Sequence, residues 1–123
     1  MLTPIAYGLA VAIALFCVFL GVRFLFWPTA SAAGYGVPAK PGGDAAYLAV
    51  KGLRDLTFGI AGLALIAFAE ADAAALFILV IALVPLGDTV IVLRHGGTRA
   101  VAFGIHFATA VVILVSAALL FAV

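Results

Sequence analysis

The sequence predicts an all-α polytopic membrane protein: a four-helix transmembrane bundle with both termini outside. Three observations predict it. The chain is 68% hydrophobic and only 9% charged, with a mean hydropathy of +1.42, where soluble domains are about 45–50% apolar and about 25% charged. Four apolar runs, over residues 4–26, 45–68, 73–93 and 99–122, each reach the roughly 20 residues that cross a bilayer. Finally, the basic residues all gather on one side of the spans. At 123 residues the chain is a single domain.

Each element follows from local chemistry. Thr3-Pro4 opens the first helix, with Thr3 as N-cap and Pro4 at the first helical position, where its missing N–H costs nothing. Trp27-Pro28 closes it, with Trp27 at headgroup level. Pro28 to Ala33 suits a short helix at the interface. Gly34, Gly36, Pro38, Pro41, Gly42 and Gly43 then break regular structure. Asp44 is placed to cap the second span. Glu70-Ala71-Asp72 is short enough to force an antiparallel hairpin, with Asp72 capping the third span. Pro85 removes one backbone bond, predicting a kink about one turn before Asp88. Gly96 or Gly97 supplies a turn, and Thr98 caps the last helix.

Ala30-Ser31-Ala32 has the form of a signal cleavage site. The preceding run is longer than the roughly 7–15 residues of a signal core and has no basic start, so it reads as a retained helix. Arg23, Lys40, Lys51, Arg54, Arg94 and Arg99 are the 6 basic residues, and all belong to the side that holds the first and third connections. The opposite side carries Glu70 and Asp72. The positive-inside rule then puts those two connections in the cytoplasm, for a multi-pass protein of the cell (inner or plasma) membrane.

Ionisable groups inside apolar helices are expensive and usually face a partner or water. At about 1.5 Å per residue, Arg54 and Asp55 lie ~10–12 Å below the cytoplasmic boundary, Asp88 ~9 Å and His106 ~10 Å. Arg23 and Lys51, ~6 Å deep, can snorkel. Three helices thus deliver polar groups to one level. Lys51, Arg54, Asp55, Phe58 and Gly62 share one face of the second span. Asp88 shares a face with Ile81, Pro85, Ile91, Val92 and His95, and His106 with Arg99, Phe103, Thr109 and Ile113. Where these faces meet they make a polar pocket, with Lys51, Arg54, Asp55, Asp88, His106 and Arg23 as ligand-binding candidates and Asp88 and His106 as catalytic candidates.

Other residues carry less. Thr57, Thr89, Thr109 and Ser116 are expected to bond back to their own helices, Cys17 to pack, and His95 to be solvated. Ala100-x-x-x-Gly104-x-x-x-Ala108 admits close helix approach, within the bundle or in a homodimer. One cysteine excludes an internal disulfide and a thiolate cluster, and Asp88 with His106 does not make a metal site alone. No phosphate-binding loop, nucleophile elbow or dinucleotide fingerprint is present, so no cofactor is expected. A net charge of +1 gives no reason to expect nucleic acid.

Val50-Lys51-Gly52-Leu53-Arg54-Asp55, then Gly59, then Gly87-Asp88-Thr89-Val90-Ile91-Val92 and a late His106, resembles a family of small bacterial and fungal membrane proteins of unknown function, DUF4267. The resemblance spans nearly the whole chain. It implies a four-helix membrane protein and brings no established activity.

The polar level supports several readings. Its charges, as Arg54–Asp88 and Lys51–Asp55 pairs, could staple the bundle. Alternatively the pocket holds an amphipathic or anionic small molecule or a membrane lipid, with Arg54, Lys51 and Arg23 on the headgroup and Asp88 and Asp55 positioning those cations. Asp88 and His106 could act as base and acid on a lipid or sterol double bond. A small proton-coupled transporter is disfavoured, because four-helix multidrug transporters place a carboxylate in the first helix and Thr3–Val22 has none. An accessory subunit docking a partner through its basic face is the remaining reading.

Overall fold

In the computed structural model, which describes Met1–Val123, the chain is all-helical. The helices are α1 (Leu2–Phe26), α2 (Pro28–Tyr35), α3 (Ala45–Phe68), α4 (Ala71–Arg94) and α5 (Arg99–Phe121). Three of them, α1, α4 and α5, are long and apolar enough to cross a membrane. Helix α3 has comparable length, 24 residues, but carries Lys51, Arg54 and Asp55 in its first half. Large apolar side chains stand exposed on every long helix, among them Phe16, Phe19, Ile60, Leu83 and Ile105. A water-soluble monomer does not present so continuous an apolar surface. This is a membrane protein.

Two kinds of packing hold the helices. Towards the end that carries both termini, α1, α4 and α5 close on a core of small and branched residues: Ala6, Ala10, Ala74, Ala75, Ile78, Ala117 and Leu120. Helix α3 adds no fully buried residue to that core, only Leu65 and Ile66 packed against it, and lies against α1 through glycines. A Cβ added to Gly59 would sit 2.7 Å from the Ala14 carbonyl oxygen, and one added to Gly52 would sit 2.9 Å from the Gly21 carbonyl oxygen. Without side chains at these points the two backbones touch, which is how helices gain contact energy where burying apolar surface from lipid gains little.

The helix ends differ from the sequence reading in three places. Thr3 is not the N-cap of α1, because the helix already starts at Leu2. Any first-turn position tolerates Pro4, since all four leading N–H groups lack intrahelical partners. Asp44 precedes α3 without capping it; its carboxylate instead accepts the Lys40 backbone N–H at 2.6 Å, closing the glycine-rich turn. Asp72 lies inside the first turn of α4, where Glu70 is the boundary residue and neither carboxylate caps. Thr98 does cap α5, accepting the Val101 N–H at 3.1 Å. Gly36, with φ of 95°, ends α2 in a left-handed conformation.

Two irregularities shape the site. Helix α4 is interrupted at Ala82, between Ile81 and Leu83, so the break lies farther from Asp88 than the kink expected one turn away. The displacement is physical: the Pro85 ring acts on the carbonyl four residues back, that of Ile81. In α5, residues Ala102–Phe107 form a π-helical turn, which the sequence does not announce. The buried residues of α5 are Ala102, His106, Ala110, Ile113, Ser116, Ala117 and Leu120. Phe103, expected on the His106 face, is exposed.

Gly59→Leu should push α1 and α3 apart and lower unfolding free energy in detergent by about 1–3 kcal/mol, the usual overpacking cost. Gly8→Leu, where an added Cβ meets nothing within 4 Å, should leave it nearly unchanged in the same chemical-denaturation measurement.

Candidate functional site

The polar residues meet at Tyr35, the last residue of α2. Its phenol donates a hydrogen bond to Asp88 Oδ2 on α4, while its backbone carbonyl accepts from His106 Nε2 on α5 at 2.7 Å. A carbonyl can only accept, so Nε2 carries the proton, and in the neutral ring Nδ1 is left as an acceptor. The Tyr35 and His106 rings meet edge-on, with centroids 4.3 Å apart, and Phe24 of α1 packs edge-on against Tyr35 from another side at 5.5 Å. Burial and the Asp88 negative charge both push the Tyr35 phenol far above the usual tyrosine range. It keeps its proton and serves Asp88 as a donor.

Helix α3 adds a second polar unit. Lys51 Nζ forms an ion pair with Asp55 at 2.5 Å, the only salt bridge in the protein. The same ammonium lies 4.2 Å from the Phe24 ring centroid and 4.3 Å from that of Tyr35. Placement over ring faces at this range is attractive. Lys51 is thus held by a carboxylate and two aromatic rings, and Tyr35 links both units.

Beside these groups α1 and α5 diverge around a cavity of about 690 Å³. Asp55, Asp88, His106, Tyr35 and Arg23 line it, together with apolar residues that include Leu9, Phe16, Ile81, Val84, Val112 and Ile113. Some lining residues are also outward: Phe19 is 53% and Ile105 46% exposed. The cavity therefore opens sideways between α1 and α5, towards whatever surrounds the helices.

The expected site is gathered in large part, with changes of partner. Asp55, Asp88, His106 and Arg23 line one cavity. Lys51 pairs with Asp55 as expected but does not line the cavity, because Asp55 and the two rings occupy it. Arg54 is exposed on α3 and forms no pair with Asp88; a step of one residue from Asp55 turns it about 100° around the helix. Asp88 takes a phenol as its partner in place of the guanidinium. The expected surplus of cations at the headgroup level reduces, inside the cavity, to Arg23 alone. Cys17 lines the cavity as well. Thr57, Thr89 and Thr109 bond back to carbonyls four residues earlier. Ser116 does not: its hydroxyl is buried without a partner.

Sequence reasoning missed Tyr35. The available signal was its position, a tyrosine between Gly34 and Gly36 that ends a short helix among the turn formers. Nothing in the local pattern says that α2 folds back between the long helices. Ser31 helps it do so, donating to the Arg23 carbonyl at 3.0 Å near the end of α1.

Residues 14–120 match a family described as a domain of unknown function, DUF4267. The chain belongs to that family. No curated protein and no solved structure matches it. The DUF4267 match reaches from the middle of α1 almost to the end of α5, and so takes in every residue of the Tyr35 cluster and most of the cavity wall.

Tyr35→Phe keeps the three ring contacts, to Phe24, His106 and Lys51, and removes the donor from Asp88. A partly buried carboxylate that loses a hydrogen bond costs about 1–3 kcal/mol, so detergent-solubilised protein should unfold at a lower denaturant concentration. Arg54→Gln, at an exposed and unpaired position, should not move that midpoint.

Proposed function

We propose that this protein binds an amphipathic small molecule or lipid in the lateral cavity. The ligand's head meets Tyr35, Asp88 and His106, and its chain lies along the apolar walls formed by α1, α4 and α5. One observation carries the reading: a cavity of about 690 Å³ with polar groups gathered at one end and an apolar remainder. Small-molecule sites are usually pockets of about 300–1,000 Å³, mostly apolar, with a few convergent polar groups. A sideways opening between apolar helices suits a guest that arrives from the bilayer.

The same reading makes α3 a fourth span. Its 24 residues match the length of the other long helices, and it touches α1 backbone to backbone. Of its three charged side chains, Lys51 and Asp55 neutralise each other, which lowers the cost of placing them in the bilayer. With four spans, the basic connections lie in the cytoplasm and Met1 and Val123 outside. A topology reporter fused after Val123 should then be active only when it works outside the cytoplasm; activity of a cytoplasmic reporter there overturns the orientation.

A second reading, intramembrane acid–base catalysis on a lipid-like substrate, is favoured by the availability of His106 Nδ1 and by the position of Asp88 on the same cavity wall. It requires the same cavity, and binding is therefore tested first.

Gly104 lines the cavity, and a Cβ added there meets nothing within 4 Å. Gly104→Leu should take up part of that space without disturbing packing. Native mass spectrometry of the detergent-purified protein should show a bound mass on the wild type that is lost or strongly reduced in Gly104→Leu. An equal bound mass on both proteins would place any ligand elsewhere.

A further inference from the structure

We propose that the head of the amphiphile is cationic, a protonated amine, and that Asp88 is its counter-ion. This rests on the cavity being a binding site and adds the chemistry of the head. The cavity wall contains two carboxylates, and they differ in one respect. Asp55 is neutralised by Lys51 at 2.5 Å, whereas Asp88 forms no ion pair. Its partner within the protein is the Tyr35 phenol, which supplies a hydrogen bond and no positive charge. An uncompensated carboxylate in apolar surroundings is costly, and pairing with a cation is what offsets that cost.

The neighbouring groups point the same way. His106 Nε2 is committed to the Tyr35 carbonyl, so the neutral ring offers Nδ1 as an acceptor. Nδ1 has no protein partner and is not sealed inside the protein either, since the sealed and unpartnered side-chain polar atom is Ser116 Oγ. Asp88 and His106 both line the cavity, and each keeps an acceptor that no protein group takes: the second Asp88 oxygen and His106 Nδ1. An ammonium carries up to three donors and a full positive charge, which matches that set. A carboxylate or phosphate head would bring like charge against Asp88 and acceptors against acceptors. The cation on the wall that could attract it, Arg23, has its guanidinium 5.9 Å from the Phe19 ring centroid. Lys51 is already engaged.

The test compares three amphiphiles with one chain length and different heads: hexadecylamine, hexadecanol and hexadecanoate. Each is titrated against the full chain in a non-ionic detergent, with binding read by native mass spectrometry. The amine should bind the wild type about tenfold or more tightly than the alcohol or the acid, the margin expected of a charge-assisted bond. Asp88→Asn keeps an acceptor for Tyr35 and removes the charge. It should lower amine affinity by about tenfold while leaving the alcohol nearly unchanged, and Asp88→Glu should restore part of the preference.

Equal or tighter binding of the acid overturns the proposal while leaving the cavity as a binding site, provided Gly104→Leu abolishes that binding. Absence of binding by all three overturns both. The wild-type ranking of heads decides the question even if Asp88→Asn fails to fold.

Discussion

The close approach of α1 and α3 is the constraint on which the rest of the structure depends. Gly21, Gly52 and Gly59 remove the side chains that would hold two helices apart, and a Cβ at any of them would collide with the facing backbone. Because the axes are so near, Lys51 one residue before Gly52 reaches across to the Phe24 ring on α1. Phe24 in turn packs against Tyr35. The glycines thus decide where the ammonium lies, and the ammonium with its ring partners helps decide where α2 ends. A wider α1–α3 spacing would leave Lys51 and Asp55 paired on one helix with no reason to face the rings.

Tyr35 converts that arrangement into a site. One residue uses its ring for Phe24, Lys51 and His106, its hydroxyl for Asp88 and its carbonyl for the imidazole. Those partners come from α1, α3, α4 and α5. A short helix of eight residues therefore ties every long helix to one point outside the main core. The main core lies towards the chain termini, where alanines let α1, α4 and α5 close together. Helices held tightly at one end and wedged by α2 at the other diverge, and the cavity is the space between.

How much of this was legible in the sequence follows from which interactions are local. Helix positions were legible because apolar run length is a property of contiguous residues: the run 45–68 coincides with α3. The Lys51–Asp55 pair was legible because spacing of four on a helix fixes it. That Asp55, Asp88 and His106 come together was legible from their spacing along the helices, and all three line the cavity. Rotation was not. Arg54 is adjacent to Asp55 yet outside the cavity, and the π turn at Ala102–Phe107 re-phased His106 relative to Phe103 with no proline to mark it. Tyr35 was out of reach because its partners are remote in sequence, Asp88 by 53 residues and His106 by 71. The end caps failed for milder reasons: the helices expected to start after Thr3 and Asp72 begin before them, at Leu2 and Ala71, and the Asp44 carboxylate closes its own loop instead.

Asp55 and Asp88 show how one residue type acquires two roles from its surroundings. Both lie on the cavity wall in apolar helices. Asp55 has a lysine one turn earlier, so its charge is cancelled by its own helix and it contributes to assembly. Asp88 has Val84 one turn earlier and Val92 one turn later, so its helix supplies no cation. Its partner must come from elsewhere, and the fold supplies a phenol that polarises towards it without neutralising it. A bundle needing only a staple would be served as well by a second lysine. Keeping a carboxylate whose charge has no internal counterpart makes physical sense where something else provides the counterpart, and the cavity wall is where that something can arrive.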